Sequence, residues 1–301
     1  MPGFPGQSAM PVLRLHHDKC PCGSGRLIKD CCLKPCGDLR PIGVLEEYEH
    51  PRCYAKGLGK CSRTISGEHW ISANLLRTIE PVGHLTVGGL PWRADGELQH
   101  LPINALQSNM LCQHHNSALS PLDGVAGRFF GAFPSIKVRP RPSHNLHLFL
   151  GVDFERWMLK CVCGGIFSGA LRSPVGRLAD WRPPRPWLDF VFAGSPMPAP
   201  LGLYFCQEVG DCVECENPIE LACIAKDADV HGITLRMHGF QFILATVPPT
   251  TPLPDDSLLT GAVHRPSEFV ISGSDGQIVL HFDWGPNHQG GRFNISWSPK
   301  S

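Results

Sequence analysis

Two short segments of this chain contain side chains that can transfer protons and bind cations. The first, CSRTISGEHWIS at residues 61–72, holds the pair Glu68–His69, and the second, NMLCQHHNSALSPLD at 109–123, holds Asn116. An imidazole titrates near neutral pH, and carboxylate and amide oxygens are ligands of hard cations such as Mg²⁺. Because hydrolysis of a phosphodiester needs a base and a cation, these residue types are suited to that chemistry.

The cysteines around these segments include a set that suits zinc, namely Cys53, Cys61 and Cys112 together with His115. Thiolates and imidazoles are the soft ligands that Zn²⁺ prefers, whereas oxygens suit Mg²⁺. His114 is an alternative fourth ligand, because neighbouring histidines compete for one position. We expect a structural Cys₃His zinc site in which residues 54–60 form the loop between the first two cysteines.

Residues 53–123 resemble the HNH (ββα-metal) endonuclease motif. In that family a histidine, usually preceded by an acidic residue or another histidine, ends the first strand and an asparagine lies in the middle. Cys-x-x-Cys or Cys-x-x-His, followed by Asn or His, then opens a helix. The matching positions are Glu68–His69, Asn109, Cys112, His115 and Asn116. The resemblance implies a divalent-metal-dependent nuclease in which His69 is the general base and Glu68 and Asn116 hold Mg²⁺ or another divalent cation.

The segment departs from the compact HNH motif in two ways. Many members with a structural zinc use Cys-x-x-Cys for the first ligand pair, whereas here residues 54–60 separate the first two cysteines. The gap between His69 and Asn109 is also longer than in compact HNH motifs. Adjacent strand residues also point to opposite faces, so Glu68 and His69 can serve one site only if the strand is kinked. The alternative function is a catalytically silent zinc-binding adaptor that docks nucleic acid or protein.

The N-terminal stretch CPCGSGRLIKDCC at residues 20–32 contains four closely spaced cysteines, Cys20, Cys22, Cys31 and Cys32. Two Cys pairs can complete a tetrahedral zinc site, and the intervening glycines let the backbone curl around the ion. The stretch resembles the SEC-C zinc motif, which is found in many bacterial proteins. That resemblance implies a zinc knuckle that docks a protein or a nucleic acid. We expect metal binding to supply most of its folding energy and the knuckle to be separable from the remaining chain.

The other cysteine and carboxylate positions lead to weaker expectations. A third zinc site could involve a further set of cysteines, Cys161, Cys163, Cys212 and Cys215, but buried free thiols are the preferred interpretation. Residues 117–123 predict a short helix that Pro121 breaks. Asp123 is then expected to terminate or cap this helix, and the alternative is that it approaches the metal.

The elements that must position these groups indicate an α+β fold. We predict a disordered N-terminus at 1–18, the knuckle at 19–36, an HNH-like unit at 45–138 and a strand-rich α+β domain at 146–301, with a boundary at 139–145. FERWMLKCV at 154–162 favours a short amphipathic helix. The alternating segments from about residue 200 onwards favour strands, including a hairpin with its turn at Ser274–Gly276.

Composition limits the classes of function. The 301 residues carry a formal net charge of +0, which does not indicate a strongly basic nucleic-acid binder, and 42% of them are hydrophobic, which is enough for a sizeable core. We find no leader peptide and no apolar run near the roughly 18 residues that a membrane span needs. We therefore expect a cytoplasmic protein in which the clustered members of its 14 cysteines bind metal rather than form disulfides. The expected partners are nucleic acid and, through the knuckle, protein, with no membrane contact.

Overall fold

The computed structural model describes residues 17–42, 48–80, 83–89, 93–94, 97–132, 146–178, 180–206, 219–237, 240–248, 259, 261–273, 276–286, 288 and 290–296. Several sequence predictions lie outside these residues: most of the disordered N-terminus, the boundary at 139–145, and Cys212 and Cys215.

The described residues form both helices and strands, with eight consecutive strands after the last helix, so the predicted α+β class is confirmed. The helices are α1 (Ala73–Ile79), α2 (Gln113–Gly131), α3 (Gly151–Ser168) and α4 (Arg185–Ala193). The strands are β1 (Ile65–His69), β2 (His84–Val87), β3 (Gln99–Pro102), β4 (Gln107–Cys112), β5 (Leu146–Leu150), β6 (Gly202–Cys206), β7 (Glu220–Lys226), β8 (Asp229–Met237), β9 (Phe240–Ala245), β10 (Val263–His264), β11 (Glu268–Gly273), β12 (Gly276–Asp283) and β13 (Arg292–Ser296).

Strands β1 and β4 pair with each other in an antiparallel ribbon, and helix α2 follows β4 directly. The register of this pair shifts between Ser66 and Glu68, where Gly67 of β1 lies opposite two residues of β4, Asn109 and Met110. Such a bulge bends the strand that carries the extra residue, which here is β4. The register shift therefore does not supply the kink in β1 that a common role for Glu68 and His69 requires.

Helix α2 continues through Pro121, so the predicted break at that residue is wrong. The helix runs for 19 residues, and its apolar face is fully buried at Leu119, Leu122 and Phe129. Proline removes one backbone hydrogen bond from a helix interior and usually kinks it. Burial of the apolar face on both sides of Pro121 outweighs this local cost.

Helix α3 is buried on nearly all sides, so the predicted amphipathic helix has the right position but the wrong environment. The charged residues that should have faced water are instead buried and paired within the protein: Asp153 with Arg156, Glu155 with Arg265, and Lys160 with Glu68 and Asp123. Buried charges persist in proteins when they are paired and hydrogen-bonded.

Most of the described strands lie beyond residue 146, as the sequence pattern predicts. They form a sheet in the order β10-β6-β9-β8-β7 and a second sheet in the order β13-β11-β12-β5. The predicted hairpin is confirmed by the antiparallel pair β11–β12, whose register ends at Gly273 opposite Gly276. Its two turn residues, 274 and 275, lie outside the described part of the chain.

One aromatic cluster joins helix α2, which follows the β1–β4 ribbon, to both sheets. The ring of Phe129 on α2 lies with its centroid 4.6 Å from Phe154 on α3, 5.5 Å from Phe242 on β9 and 5.5 Å from Phe282 on β12. All four side chains are buried. Because burial of each such ring contributes about 1.5–3 kcal/mol, the ribbon and the C-terminal sheets share their main stabilising contacts.

The N-terminal cysteine segment, residues 19–36, packs on the second sheet. Ile28 is completely buried, and with Leu33 it contacts Leu148 of strand β5. These contacts oppose the expectation that the segment is separable, because part of its small apolar core belongs to β5.

Polar contacts extend the same attachment. The backbone N–H of Cys36 donates to Asp153 Oδ2 at 2.9 Å, and Arg156 Nη2 donates to the carbonyl of Gly37 at 2.9 Å. Asp153 and Arg156 are themselves a buried ion pair on helix α3. Helix α3 therefore anchors the chain that leaves the cysteine segment.

Candidate functional site

Four buried side chains converge at the base of the β1–β4 ribbon to form the first candidate metal centre. His115 Nδ1 lies 3.6 Å from Cys53 Sγ, 3.7 Å from Cys61 Sγ and 3.2 Å from Cys112 Sγ. All four ligand atoms lie within 4.8 Å of one another. Zinc–ligand bond lengths at a tetrahedral ion require N···S separations of about 3.5 Å, so this cluster is positioned to hold a metal ion and its donors are consistent with zinc.

The loop between the first two cysteines accommodates the unusual seven-residue spacing. Residues Lys56–Leu58 form a 3₁₀ turn, and Gly59 and Lys60 both adopt positive φ angles, 73° and 54°. Glycine accepts such a backbone without strain, which lets the chain reverse in a short distance. The cluster contains His115; the neighbouring His114 instead donates its backbone N–H to Ser62 Oγ at 3.4 Å.

The thiols of the cluster differ in how readily they ionise. Hydrogen bonding from Cys53 and His115 lowers the pKa of Cys112 to about 2, whereas the interaction with Cys112 and burial raise the pKa of Cys53. One thiolate is therefore stable in this pocket, and further negative charge is opposed by burial. A bound divalent cation would remove that opposition, because metal ligation ionises the remaining thiols.

The second cluster lies in the N-terminal cysteine segment, where Cys20, Cys22, Cys31 and Cys32 bring their sulfurs within 4.8 Å of one another. Cys22 Sγ and Cys31 Sγ are 3.5 Å apart. Gly23 and Gly25 have φ angles of 79° and 74°, so the left-handed turn after Cys22 needs glycine at both positions. This set is also positioned to hold a metal ion, and four thiols are consistent with zinc.

One thiol of this second cluster is favoured as a thiolate. Burial opposes ionisation of Cys22, but hydrogen bonds from Ser24 outweigh it and lower the pKa to about 6. Burial raises the pKa of Cys20. As in the first cluster, a cation is needed before all four sulfurs can ionise together.

His69 lies at the end of β1 with one ring nitrogen fixed by the backbone. Its Nε2 is 3.2 Å from the carbonyl oxygen of Ile103, and since a carbonyl only accepts, Nε2 carries the proton. The opposite nitrogen, Nδ1, then has a free electron pair and accepts from Gln107 Nε2 at 3.5 Å. Burial lowers the pKa of His69, which favours this neutral form at neutral pH.

Asn116 lies on the first turn of α2 and contacts β1 opposite the bulge in β4. Its Nδ2 donates to Ser66 Oγ at 2.9 Å and to the carbonyl oxygen of Gly67 at 3.2 Å. The amide therefore binds β1 at the position where the register shifts. Asn109, the other matching asparagine, is an exposed residue of β4.

Glu68 points into the protein and belongs to a buried ionic group that the sequence did not predict. Lys160 Nζ lies 2.5 Å from Glu68 Oε1 and 2.6 Å from Asp123 Oδ1. Ser72 Oγ also donates to Asp123, and Trp157 Nε1 donates to Ser72 Oγ at 2.7 Å. The expectation that Asp123 terminates or caps a helix is wrong, because it lies within α2 and binds Lys160.

The electrostatics of this ionic group are dominated by burial and by the mutual attraction of its members. Burial raises the pKa of Glu68 against the opposing effect of Lys160. Burial alone would lower the pKa of Lys160, but Glu68 and Asp123 raise it above its ordinary value. Glu68 and Asn116 thus have different partners, and the metal clusters found among the described residues do not include Glu68.

An apolar cleft of about 550 Å³ is lined by residues that include Trp70, Leu85, Leu106 and Gln107. His69 itself does not line the cleft, but its Nδ1 accepts from Gln107. Gln107 therefore lies between His69 and the cleft.

Two further cysteines, Cys161 and Cys163, lie on helix α3 and belong to neither cluster. Both are buried, and burial raises the pKa of each above its ordinary value. An uncharged buried thiol packs as a small apolar side chain.

No helix in the described part of the chain is both long enough and apolar enough to cross a membrane. Comparison of the chain with protein-family models, with curated proteins and with solved structures gave no match. The assignment of function therefore depends on the chemistry of the residues and on their geometry.

Proposed function

We propose that this protein hydrolyses phosphodiester bonds of nucleic acids through an HNH-like site on the β1–β4–α2 ribbon. The observation that carries the proposal is the arrangement around His69: a neutral imidazole with Nε2 bound to the Ile103 carbonyl and Nδ1 bound to Gln107, a residue that lines an apolar cleft. The pairing of β1 with β4, the helix α2 that follows β4 directly, and the contact of Asn116 with Gly67 further support the resemblance to ββα-metal endonucleases.

In the proposed reaction His69 Nδ1 takes a proton from a water molecule as the water oxygen attacks phosphorus. The bond from phosphorus to the leaving oxygen breaks as the new bond forms, and the leaving oxygen takes a proton from solvent. The Ile103 carbonyl keeps the ring oriented and stabilises the imidazolium that results.

Glu68 and Asn116 are the residues that would hold a divalent cation at this site. A carboxylate and an amide oxygen suit Mg²⁺, which commonly keeps several waters and takes only one or two protein ligands. When bound, such a cation would stabilise the charge that develops on the phosphate and the leaving oxygen. The use of Asn116 Nδ2 for the strand leaves the amide oxygen as the end available for a cation.

Both cysteine clusters have structural roles in this proposal. Zinc at Cys53, Cys61, Cys112 and His115 would hold the start of α2 to the loop before β1 and so fix Asn116 relative to His69. The N-terminal cluster resembles the SEC-C motif, and we assign it a zinc ion and the docking of a nucleic acid or protein partner.

Nuclease assays with a matched histidine control test the proposal. Purified protein should cut plasmid DNA or structured RNA in Mg²⁺ or Mn²⁺. Because removal of a positioned base lowers rates by roughly 10²–10⁴-fold, His69→Ala should lose most of this cleavage. His100→Ala is the control, since His100 is exposed on β3 and stacks on His84. Equal cleavage by wild type and His69→Ala would refute the role of His69.

A catalytically silent adaptor has one observation in its favour. Glu68 is buried and paired with Lys160, so its carboxylate is less accessible to a cation than a ligand at the surface would be. Nucleic-acid binding by wild-type protein without any cleavage, under conditions where its zinc content is intact, would favour this function over the nuclease.

A further inference from the structure

We propose that Lys160 is a positioning residue of the candidate site and acts by holding the side chain of Glu68, on β1, in a fixed position. The inference rests on the proposed nuclease function and extends the site to helix α3, outside the segment that resembles the HNH motif. Lys160 Nζ is 2.5 Å from Glu68 Oε1, and both side chains are buried. Lys160 does not touch substrate; it acts through Glu68.

Lys160 lies between two carboxyl groups. Its Nζ contacts Glu68 Oε1, which is buried, and Asp123 Oδ1, whose side chain is about a quarter exposed. Two carboxylates close to one another repel each other when both are ionised. With Lys160 between them, both carboxylates are held by attraction to the same ammonium group.

Further hydrogen bonds to the partners of Lys160 restrict the position of its ammonium group. Asp123 receives hydrogen bonds from Ser72 as well as from Lys160, and Ser72 in turn receives one from Trp157 Nε1. Trp157 and Lys160 both lie on α3, so the network returns to the helix from which it starts. Glu68 is thus tied to a closed set of contacts between β1, α2 and α3.

Stability alone does not account for this arrangement. Replacing a buried ion pair by apolar residues of similar volume is often neutral or stabilising. Glu68 is adjacent in the chain to His69 and to Gly67, whose carbonyl oxygen binds Asn116. Small displacements of groups at a reacting centre can strongly lower the rate.

The chain offers a matched control on the same helix. Glu155 of α3 is buried and pairs with Arg265, whose Nε lies 2.8 Å from Glu155 Oε1. Arg265→Met therefore removes the cation of a second buried ion pair that has no contact with Glu68 or Asp123. Both variants should lower the melting temperature, so stability does not separate them.

Kinetics should separate the two variants. Lys160→Met is expected to lower kcat by roughly 10²-fold with little change in KM for nucleic acid, since mispositioning affects the reacting groups. Arg265→Met should keep the wild-type kcat below its melting temperature. Because Lys160 acts through Glu68, the double variant Lys160→Met/Glu68→Gln should be no slower than Glu68→Gln alone.

Hydrogen exchange provides a readout that does not depend on activity. Amides of residues 66–69 should exchange faster in Lys160→Met than in wild type, and at the wild-type rate in Arg265→Met. If Lys160→Met does not fold, Lys160→Gln carries the same tests, because it removes the charge but keeps a hydrogen-bond donor.

Three outcomes would overturn the inference. A wild-type kcat in folded Lys160→Met would refute the positioning role but leave the nuclease proposal intact. Additive losses in the double variant would mean that Lys160 does not act through Glu68. Absence of cleavage by wild-type protein would refute the nuclease proposal and this inference with it.

Discussion

At the scale of single residues, the chemistry of the candidate centres comes from side chains that share a proton or an ion. Cys112 is the most acidic thiol of the buried cluster because Cys53 and His115 both stabilise its anion. Lys160 has a similar role for Glu68 and Asp123. In each case one side chain holds a charge that its neighbours alone would oppose.

Removal of a ligand from the buried cluster should destabilise the protein much more than removal of a thiol elsewhere. We expect Cys112→Ser to lose one zinc ion per chain and to lower the melting temperature strongly, since metal binding contributes directly to folding. Cys223→Ser, on strand β7 and away from both clusters, should keep the zinc content. Elemental analysis and thermal unfolding are the measurements, and equal zinc content in the two variants would contradict the prediction.

At the scale of elements, local rules are overridden where long-range packing is extensive. The bulge in β4 costs the ribbon a regular register, while Asn116 donates hydrogen bonds to the β1 residues opposite it. Helix α2 tolerates Pro121 because the apolar residues on both sides of it are buried. Long-range packing also buries helix α3 in the core, although its sequence pattern is amphipathic.

Replacing Pro121 should stabilise the protein. Pro121 is exposed, so Pro121→Ala restores a backbone donor without opening a cavity, and we expect a gain of about 1–3 kcal/mol in the free energy of unfolding. Ser120→Ala, at the preceding exposed position, should change this free energy much less. Chemical denaturation of both variants tests the prediction, and a destabilised Pro121→Ala would indicate that the proline has a packing role.

At the scale of the whole molecule, the N-terminal cysteine segment and the C-terminal sheets are parts of one packed structure. Ile28 of the segment is buried against β5, while Asp153 and Arg156 of α3 bind the backbone that follows the segment. The same helix reaches the candidate site through Lys160. Helix α3 therefore contacts both the chain that follows the N-terminal segment and, through Lys160, the candidate site.

Substitution of one buried and one exposed isoleucine tests how strongly the N-terminal cysteine segment is packed on the rest of the protein. Ile28 is completely buried, whereas Ile42, a few residues further along, is 95% exposed. Ile28→Ala should therefore lower the free energy of unfolding of the whole protein by about 2–5 kcal/mol, and Ile42→Ala should have little effect. If Ile28→Ala affected only the zinc content of the segment and left the main transition unchanged, the segment would be separable after all.

The sequence by itself determined the groups whose chemistry is local. Cys-x-Cys, Cys-Cys and Cys-x-x-His spacings predict metal ligands because short chain segments bring their atoms together, and both sets converge as predicted. Alternation and glycine turns likewise predicted the hairpin β11–β12, since its strands are neighbours in the chain.

Only the tertiary structure decided the environment of the charged residues. The pattern of helix α3 makes Lys160 a surface residue, and its partners Glu68 and Asp123 are distant in sequence. The burial of a side chain depends on which elements cover it, and no local pattern carries that information. For the same reason the continuity of α2 through Pro121 and the docking of the N-terminal segment on β5 became evident only from the fold.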